Sequence, residues 1–308
     1  MTNNNITSTV ATAEEALEII RKHYDFGDVD YCMHIKRGFN DTYLLDTGSQ
    51  KFIFRMYLNG KYYVESDDAY RFELNLVKHL HMQGVPVANV VPTSCGDLLG
   101  VTELRSGQRV FALFNYAEGV LLSRGSLTIN QGRQLGIAMA NMHLAADSFE
   151  SEYERYKLDL KYLVDEPIRL ISEGEKCAEA NEEIKYGLYV LEKLEPIDRY
   201  IERINSIGTD GSKFGIIHAD MHLGNIHFRG NELTIFDFDH CAYGWRAYDL
   251  AISCSLPKPA RVSMIEGYES RRPLTQEERD SLGDLASLRN LWDIGDILAT
   301  QNLRPESA

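Results

Sequence analysis

Residues 218–228 read HADMHLGNIHF, with three histidines, an aspartate and an asparagine packed together. His218 and His222 stand four apart, the spacing at which two zinc ligands share a helical face. A zinc-protease helix, however, carries Glu directly after its first His. Here Ala219 occupies that place, and the nearby acid, Asp220, falls at the wrong offset to act as the base. Gly224 and Asn225 disfavour a continuing helix, and FGII (214–217) just before is β-rich. His218 therefore sits where a strand runs into a loop, and the segment reads as a loop carrying an Asp–x4–Asn pair.

A second stretch, LTIFDFDHCAYGWRAYDLA (233–251), accounts for that pair. TIFDFD is expected to be a strand whose alternation puts Asp237 and Asp239 on one face. Two carboxylates at a strand end are hard oxygen ligands suited to magnesium. Kinase-type phosphoryl transfer needs an Asp to position the acceptor hydroxyl, with an Asn and a further Asp holding Mg2+ against the phosphates. Haloacid-dehalogenase-type phosphatases also use an apolar strand followed by D-x-D. They place Thr or Val at the fifth position, where this chain has Cys241, and they carry the motif near the N-terminus.

The remaining sequence narrows the class. A chain of 308 residues predicts about two lobes. Apolar runs such as LGIAMANM (135–142) fall short of the ~18–20 residues of a membrane span. The first twenty residues lack a basic region followed by an apolar one, so no secretory signal is expected. TAEE (12–15) reads instead as a helix start, with Thr12 as N-cap and Glu15 closing a capping box. Five cysteines (Cys32, Cys95, Cys177, Cys241, Cys254), never in CxxC spacing, suit reduced thiols in a cytoplasmic protein. A net charge of -14 without a Lys/Arg-rich run argues against broad binding to nucleic acid or anionic membrane.

Residues 30–116 are mostly strand-like. TYLLDTGSQKFIFRMY (42–57) predicts a hairpin, and VPVANVVPT (85–93) and VFALFNY (110–116) predict further strands. Between them, DDAYRFELNLVKHLHMQG (67–84) spaces Phe72, Leu76 and Leu80 as a helix, with Gly84 as a stop. From 117 on, the helical period dominates. NQGRQLGIAMANMHLAAD (130–147) predicts a helix with Leu135, Met139 and Met142 on one side. Several helices follow over 151–208, with an Ile184, Leu188, Leu191 stripe and a break at Pro196. The predicted class is α+β: a small N-terminal antiparallel β-sheet lobe with one helix (1–116) and a larger, mainly helical C-terminal lobe (117–308). The boundary is expected near NYAEG, where Gly119 ends the last strand.

The two motif stretches together resemble the aminoglycoside phosphotransferase and choline-kinase-like family, which includes homoserine kinase-like members. HADMHLGNI matches the family's H-G-D-x-H-x-x-N loop, and IFDFDHCAYGWRAYDLA matches its I-D-[WF]-[ED]-x-A-x-x-G-x-x-x-x-D-L-A segment. The resemblance implies a bilobal protein-kinase-like fold and an ATP- and Mg2+-dependent phosphotransferase. Its acceptor would be a hydroxyl-bearing small molecule of the aminoglycoside, amino alcohol, homoserine or sugar type. It makes Asp220 the catalytic acid that orients the acceptor hydroxyl, Asn225 and Asp237 metal ligands, and Asp239 a further metal-site acid. His218 and His222 would support the loop, and Asp249 would anchor its backbone. In the first lobe it casts Ile53 as the adenine roof and Arg55 as the phosphate cation, with Lys51 in reserve and Glu73 as the cation's partner. Gly38, Asn40 and Asp41 would form a phosphate-covering turn, Phe114 to Tyr116 the adenine hinge, and the helices of 151–208 the acceptor pocket. A protein Ser/Thr kinase is disfavoured because no A-P-E-like segment follows DFD. A non-catalytic nucleotide-binding module is disfavoured because Asp220, Asn225 and Asp237 are all present.

Overall fold

The computed structural model of the chain describes residues 10–27, 29–38, 40–105, 107–175, 181–194 and 196–300, so Cys177 lies outside the described residues. The chain divides into two compact units. The first holds the chain up to Lys78, Ala88–Tyr116 and the residues from Thr300, and the second holds His79–Val87 and Ala117–Ala299.

The first unit starts with α1 (Ala13–His23), whose capping box forms as its sequence predicts: Thr12 and Glu15 exchange both hydrogen bonds. An antiparallel sheet follows in the order β1 (Tyr31–Arg37), β2 (Asn40–Asp46), β3 (Lys51–Tyr57), β6 (Gly107–Asn115) and β4 (Val90–Val91), with β5 (Gly100–Leu104) paired to the other end of β6. Side-chain alternation sorts the sheet's two faces. Phe52, Phe54, Phe111 and Leu113 pack with Ile19 and Ile20 of α1. Ile53, Tyr57, Ala112 and Phe114 pack with Tyr70 and Leu74 of α2 (Asp68–Met82). The segment 85–93 is expected to be a strand, yet Val87 makes an isolated bridge with Ile235 and only Val90 and Val91 join the sheet. Pro86 and Pro92 bracket them and have no N–H to give to a ladder.

The second unit is built on α3 (Ile129–Ala146) and α8 (Lys258–Glu269), which approach closely along glycines. A Cβ on Gly132 would lie 2.7 Å from the Ala260 carbonyl oxygen, and one on Gly136 would overlap that of Met264. α4 (Glu166–Gly174), α5 (Glu182–Lys193) and α6 (Asp198–Ile207) follow, with Pro196 between the last two as expected. Ile171 and Ile184 pack there against Leu291 and Ile294 of α9 (Gln276–Thr300). Two small sheets complete the unit: β7 (Lys157–Leu158), β11 (Ala242–Trp245) and β8 (Phe214–Ile217) in that order, and the hairpin of β9 (Ile226–Arg229) with β10 (Glu232–Ile235). A short helix, α7 (Arg246–Leu250), leaves β11 directly.

Gly119 does not end a strand, because β6 stops at Asn115. With φ of 118° it turns the chain into a bridge in which Val120 and Phe228 exchange hydrogen bonds of 3.0 and 2.9 Å. Among the described residues, no helix is long and apolar enough to cross a membrane.

The α3–α8 packing is testable. Gly136→Ala should lower stability by about 1–3 kcal/mol through overpacking, read as a drop in the urea midpoint. Gly211→Ala, where an added Cβ meets nothing within 4 Å, should leave that midpoint in place.

Candidate active site

The loop after β8 turns at Ala219, which takes a left-handed φ of 66°. For a residue with a Cβ this conformation costs on the order of 1–2 kcal/mol. The family loop has glycine at this position. What holds the turn is Asp249 on α7, fully buried. One of its oxygens accepts the His218 N–H at 2.8 Å, and the other accepts the Ala219 N–H at 2.9 Å. His143 of α3 adds a third bond through Nε2 at 3.0 Å and accepts from the Tyr268 hydroxyl of α8 at 2.8 Å. Burial alone would raise the Asp249 carboxyl, but the His143 and backbone hydrogen bonds outweigh it and hold the group below the usual carboxylate range.

His218 is buried beneath the loop. Its Nδ1 accepts the Asp220 N–H at 3.3 Å, which leaves Nε2 to donate to the Phe236 carbonyl at 3.0 Å. Burial depresses its pKa, so the ring is neutral. His222 accepts the Gly224 N–H on Nδ1 at 2.9 Å, shaping the turn before β9, and its Nε2 lies 3.4 Å from Asp220 Oδ2.

Asp220 sits at the centre of this arrangement. Its Oδ2 accepts from Asn225 Nδ2 at 3.0 Å, and its Oδ1 accepts from Arg289 of α9 at 2.7 Å. Burial pushes its carboxyl up, yet the imidazoles of His222 and His240 and the Arg289 guanidinium prevail, so it stays ionised well below the normal range. Asn225 also donates to the Asp220 carbonyl at 3.0 Å, so its NH2 group is occupied and its amide oxygen remains as a hard acceptor. The Phe236 N–H binds the Asn225 carbonyl at 3.0 Å, which brings the residue before Asp237 onto the same loop.

The two acids of DFD do not share a strand face. β10 ends at Ile235, and Asp237 adopts a left-handed φ of 69°, so the alternation expected over TIFDFD breaks at that residue. Asp237 is half-buried, one residue past the Phe236 N–H that binds the Asn225 carbonyl, whereas Asp239 lies buried in the next turn. There Arg155 donates to the backbone carbonyls of Asp239 and Cys241 and sets the turn. Among the described residues, no group of three or more His, Cys, Asp or Glu side chains could hold a metal ion. An amide oxygen and one carboxylate fit Mg2+ in the manner of a site completed by phosphate and water oxygens.

In the first unit, Arg55 and Glu73 meet at 3.1 Å with both side chains buried, and the Tyr57 hydroxyl donates to the other Glu73 oxygen at 3.0 Å. The Arg55 guanidinium lies 4.9 Å from the centre of the Phe114 ring, on the face that also carries Ile53. Lys51 is exposed at the strand end, 3.9 Å from Asp46. Asn40 and Asp41 are not turn residues. Both belong to β2 and point inward, Asn40 accepting from buried Lys61 at 2.7 Å and Asp41 from buried Arg109 at 3.1 Å. Charged partners inside the sheet draw these side chains in. At the expected hinge, the N–H groups of Asn115 and Tyr116 already bind the carbonyls of Asn89 (2.8 Å) and Lys51 (3.2 Å). Phe114 pairs on both sides, with Ile53 and Val90.

Arg289, His143 and Arg155 escaped the motif reading because each meets the site across a long sequence separation. A sequence signal did exist in α9: Asp293 and Asp296 stand among Leu291, Trp292, Ile294, Ile297 and Leu298. Burial pushes Asp296 up to about 6, against the His240 imidazole 4.0 Å away.

Two predictions follow from these charges. Asp249→Asn should destabilise the fold by about 3 kcal/mol at pH 7. Because the folded Asp249 titrates below its unfolded value of about 3.9, its contribution is complete above that pH. It is lost only as pH falls through the lower folded pKa, so the gap between wild type and variant in urea unfolding should hold from pH 7 down to about 4 and narrow progressively below that. Asp296 has the opposite sign: raised to about 6, it makes the folded state less stable as pH climbs from about 4 to 6. Asp296→Asn should therefore raise the melting temperature at pH 8 and give little gain at pH 4.

The phosphotransferase enzyme family matches residues 35–282 of the chain. An uncharacterized protein of Synechocystis sp. is 30% identical, the match covering 89% of this chain and 74% of that protein. A homoserine kinase of Agrobacterium fabrum is also 30% identical, over 87% of this chain and 80% of the relative. Among solved structures, a microcompartment-associated aminopropanol kinase superposes with a TM-score of 0.71 at 22% identity, covering 92% of this chain and 91% of the other. Amicoumacin kinase in complex with AMP-PNP, Ca2+ and Ami superposes with a TM-score of 0.72 at 17% identity, covering 97% and 89%. With a sheet-and-helix α+β architecture and a match across most of its length, the chain belongs to the phosphotransferase enzyme family and has its protein-kinase-like fold.

Proposed function

We propose that the protein transfers the γ-phosphoryl group of ATP, with Mg2+, to a hydroxyl group of a small molecule. The observation that carries this reading is the Asp220 carboxylate: it is kept ionised, aligned by Asn225 and Arg289, and set on a loop locked by Asp249. Bound Mg2+ would neutralise phosphate charge, with the Asn225 amide oxygen and Asp237 as its protein ligands. Arg55, steadied by Glu73, supplies the cation for the nucleotide's phosphates.

A carboxylate held this low is a weak base. Asp220 therefore acts mainly by accepting a hydrogen bond from the acceptor O–H and aligning its oxygen for in-line attack. The new P–O bond forms as the bond to the β-phosphate oxygen breaks and ADP leaves. The hydroxyl proton passes to Asp220 once the oxygen's pKa has collapsed. Positioning thus supplies most of the acceleration, as befits a loop fixed by hydrogen bonds before substrate arrives.

The relatives support a small hydroxyl-bearing acceptor, since several are homoserine kinases. Described thiols at Cys32, Cys95, Cys241 and Cys254 are free, which fits a reducing cytoplasmic compartment.

Coupled ADP release with Mg2+–ATP and a panel of amino alcohols, homoserine, aminoglycosides and sugars tests the reading. Turnover should depend on one acceptor class. Asp220→Asn should lower kcat by about 10^2–10^4-fold with little change in ATP affinity, and wild-type turnover in that variant would remove Asp220 from its assigned role. Asp237→Ala should instead abolish Mg2+-dependent nucleotide binding in a titration.

A further inference from the structure

Helix α9 turns one face toward the candidate catalytic loop, and contacts on either side fix which face it is. Arg289 bonds Asp220 Oδ1 at 2.7 Å and the Met221 carbonyl at 3.0 Å. Seven residues on, Asp296 Oδ2 lies 4.0 Å from His240 Nε2. Asp293 stands between them, four after Arg289 and three before Asp296, so all three share that face. The half-buried Asp293 carboxylate makes no hydrogen bond or ion pair among the described residues.

A second observation points at the same place. Tyr248 is 1% exposed, and its hydroxyl has no hydrogen-bond partner among the described residues. Its ring lies 5.8 Å from the Arg289 guanidinium, and its hydroxyl feels the charges of Arg289, Asp293 and Asp220. A buried hydroxyl and a neighbouring carboxylate, both without partners, form an incomplete polar site. A protonated amine, with three N–H donors and a positive charge, completes it.

The geometry points to Asp293, assisted by Tyr248, as the anchor for an ammonium group on the acceptor, which makes the acceptor a small amino alcohol that carries no carboxylate. This inference rests on the phosphotransferase reading above for the fate of the acceptor's hydroxyl, but the ammonium site can be tested without it. The exclusion of a carboxylate follows from charge. Arg289 is already bonded to Asp220 and Met221, so an acceptor carboxylate would face the Asp293 and Asp220 charges with the one nearby guanidinium already engaged. Burial and the Asp220 charge raise the Asp293 carboxyl, and a bound ammonium would relieve both.

The test is isothermal titration of the full chain, in the presence of Mg2+–ADP, with ethanolamine, 1-amino-2-propanol, propane-1,2-diol and homoserine. Wild type should bind the amino alcohols more tightly than the diol or homoserine. Asp293→Asn should raise the amino alcohol Kd by about 10–100-fold while the diol's Kd stays put, and Tyr248→Phe should raise it a few-fold. Equal amino alcohol binding in wild type and Asp293→Asn overturns the proposal, as do tighter homoserine binding and the absence of amine binding to wild type. Parallel ADP-release assays separate the two readings. Amine binding that depends on Asp293 without acceptor-dependent ADP formation would overturn the phosphotransferase reading and leave the ammonium site standing.

Discussion

The candidate catalytic loop depends on one buried carboxylate. Asp249 receives two consecutive backbone N–H groups and an imidazole N–H, and those three bonds hold Ala219 in a conformation that a residue with a Cβ disfavours. Released from them, the loop would relax toward ordinary backbone angles and carry Asp220 away from Asn225 and Arg289. The anchor is itself anchored. His143 on α3 and Tyr268 on α8 orient its third bond, and those two helices approach closely because glycines line their contact. Close packing of α3 on α8 thus reaches the candidate chemistry through a chain of directional bonds.

Around Asp220, charge and burial pull in opposite directions. His222, His240 and Arg289 keep Asp220 ionised, while Asp293 and Asp296, a turn or two along α9, are raised by burial and by the Asp220 charge, Asp296 also by Asp293. Acids held at elevated pKa destabilise the folded state at neutral pH. Such strain persists where a site is shaped for a ligand rather than for stability alone. The first unit resolves its buried charges differently. Arg55 pairs with Glu73 and Arg109 with Asp41 as buried ion pairs, and Lys61 donates to the Asn40 amide oxygen.

Much of this was legible in the residues. The capping box of α1, the β2–β3 hairpin, α2 with its apolar stripe and the break at Pro196 all follow from local chemistry, and each forms as its sequence predicts. The two motif loops announced Asp220, Asn225, Asp237 and Asp249 because their spacing is local and their side chains are costly to place without a purpose. Local patterning failed where a tertiary contact overrode it. TIFDFD alternates like a strand, but the chain turns at Asp237, where a left-handed φ of 69° follows the Phe236 N–H bond to the Asn225 carbonyl. Asn40 and Asp41 have turn-forming side chains, but Lys61 and Arg109 draw them into the sheet.

By itself, then, the sequence determined the class of the fold, the succession of strands and helices, and the identity of the loop residues, because these depend on periodicity, capping and spacing within short windows. Only the tertiary structure decided which distant side chains complete the site. Arg289 lies 69 residues from Asp220, and His143 lies 106 residues from Asp249. No local rule ties them together. Their pairing arises from the packing of helices whose registers are set by the whole core, and hydrogen bonds are short enough that only the folded chain brings donor and acceptor within reach.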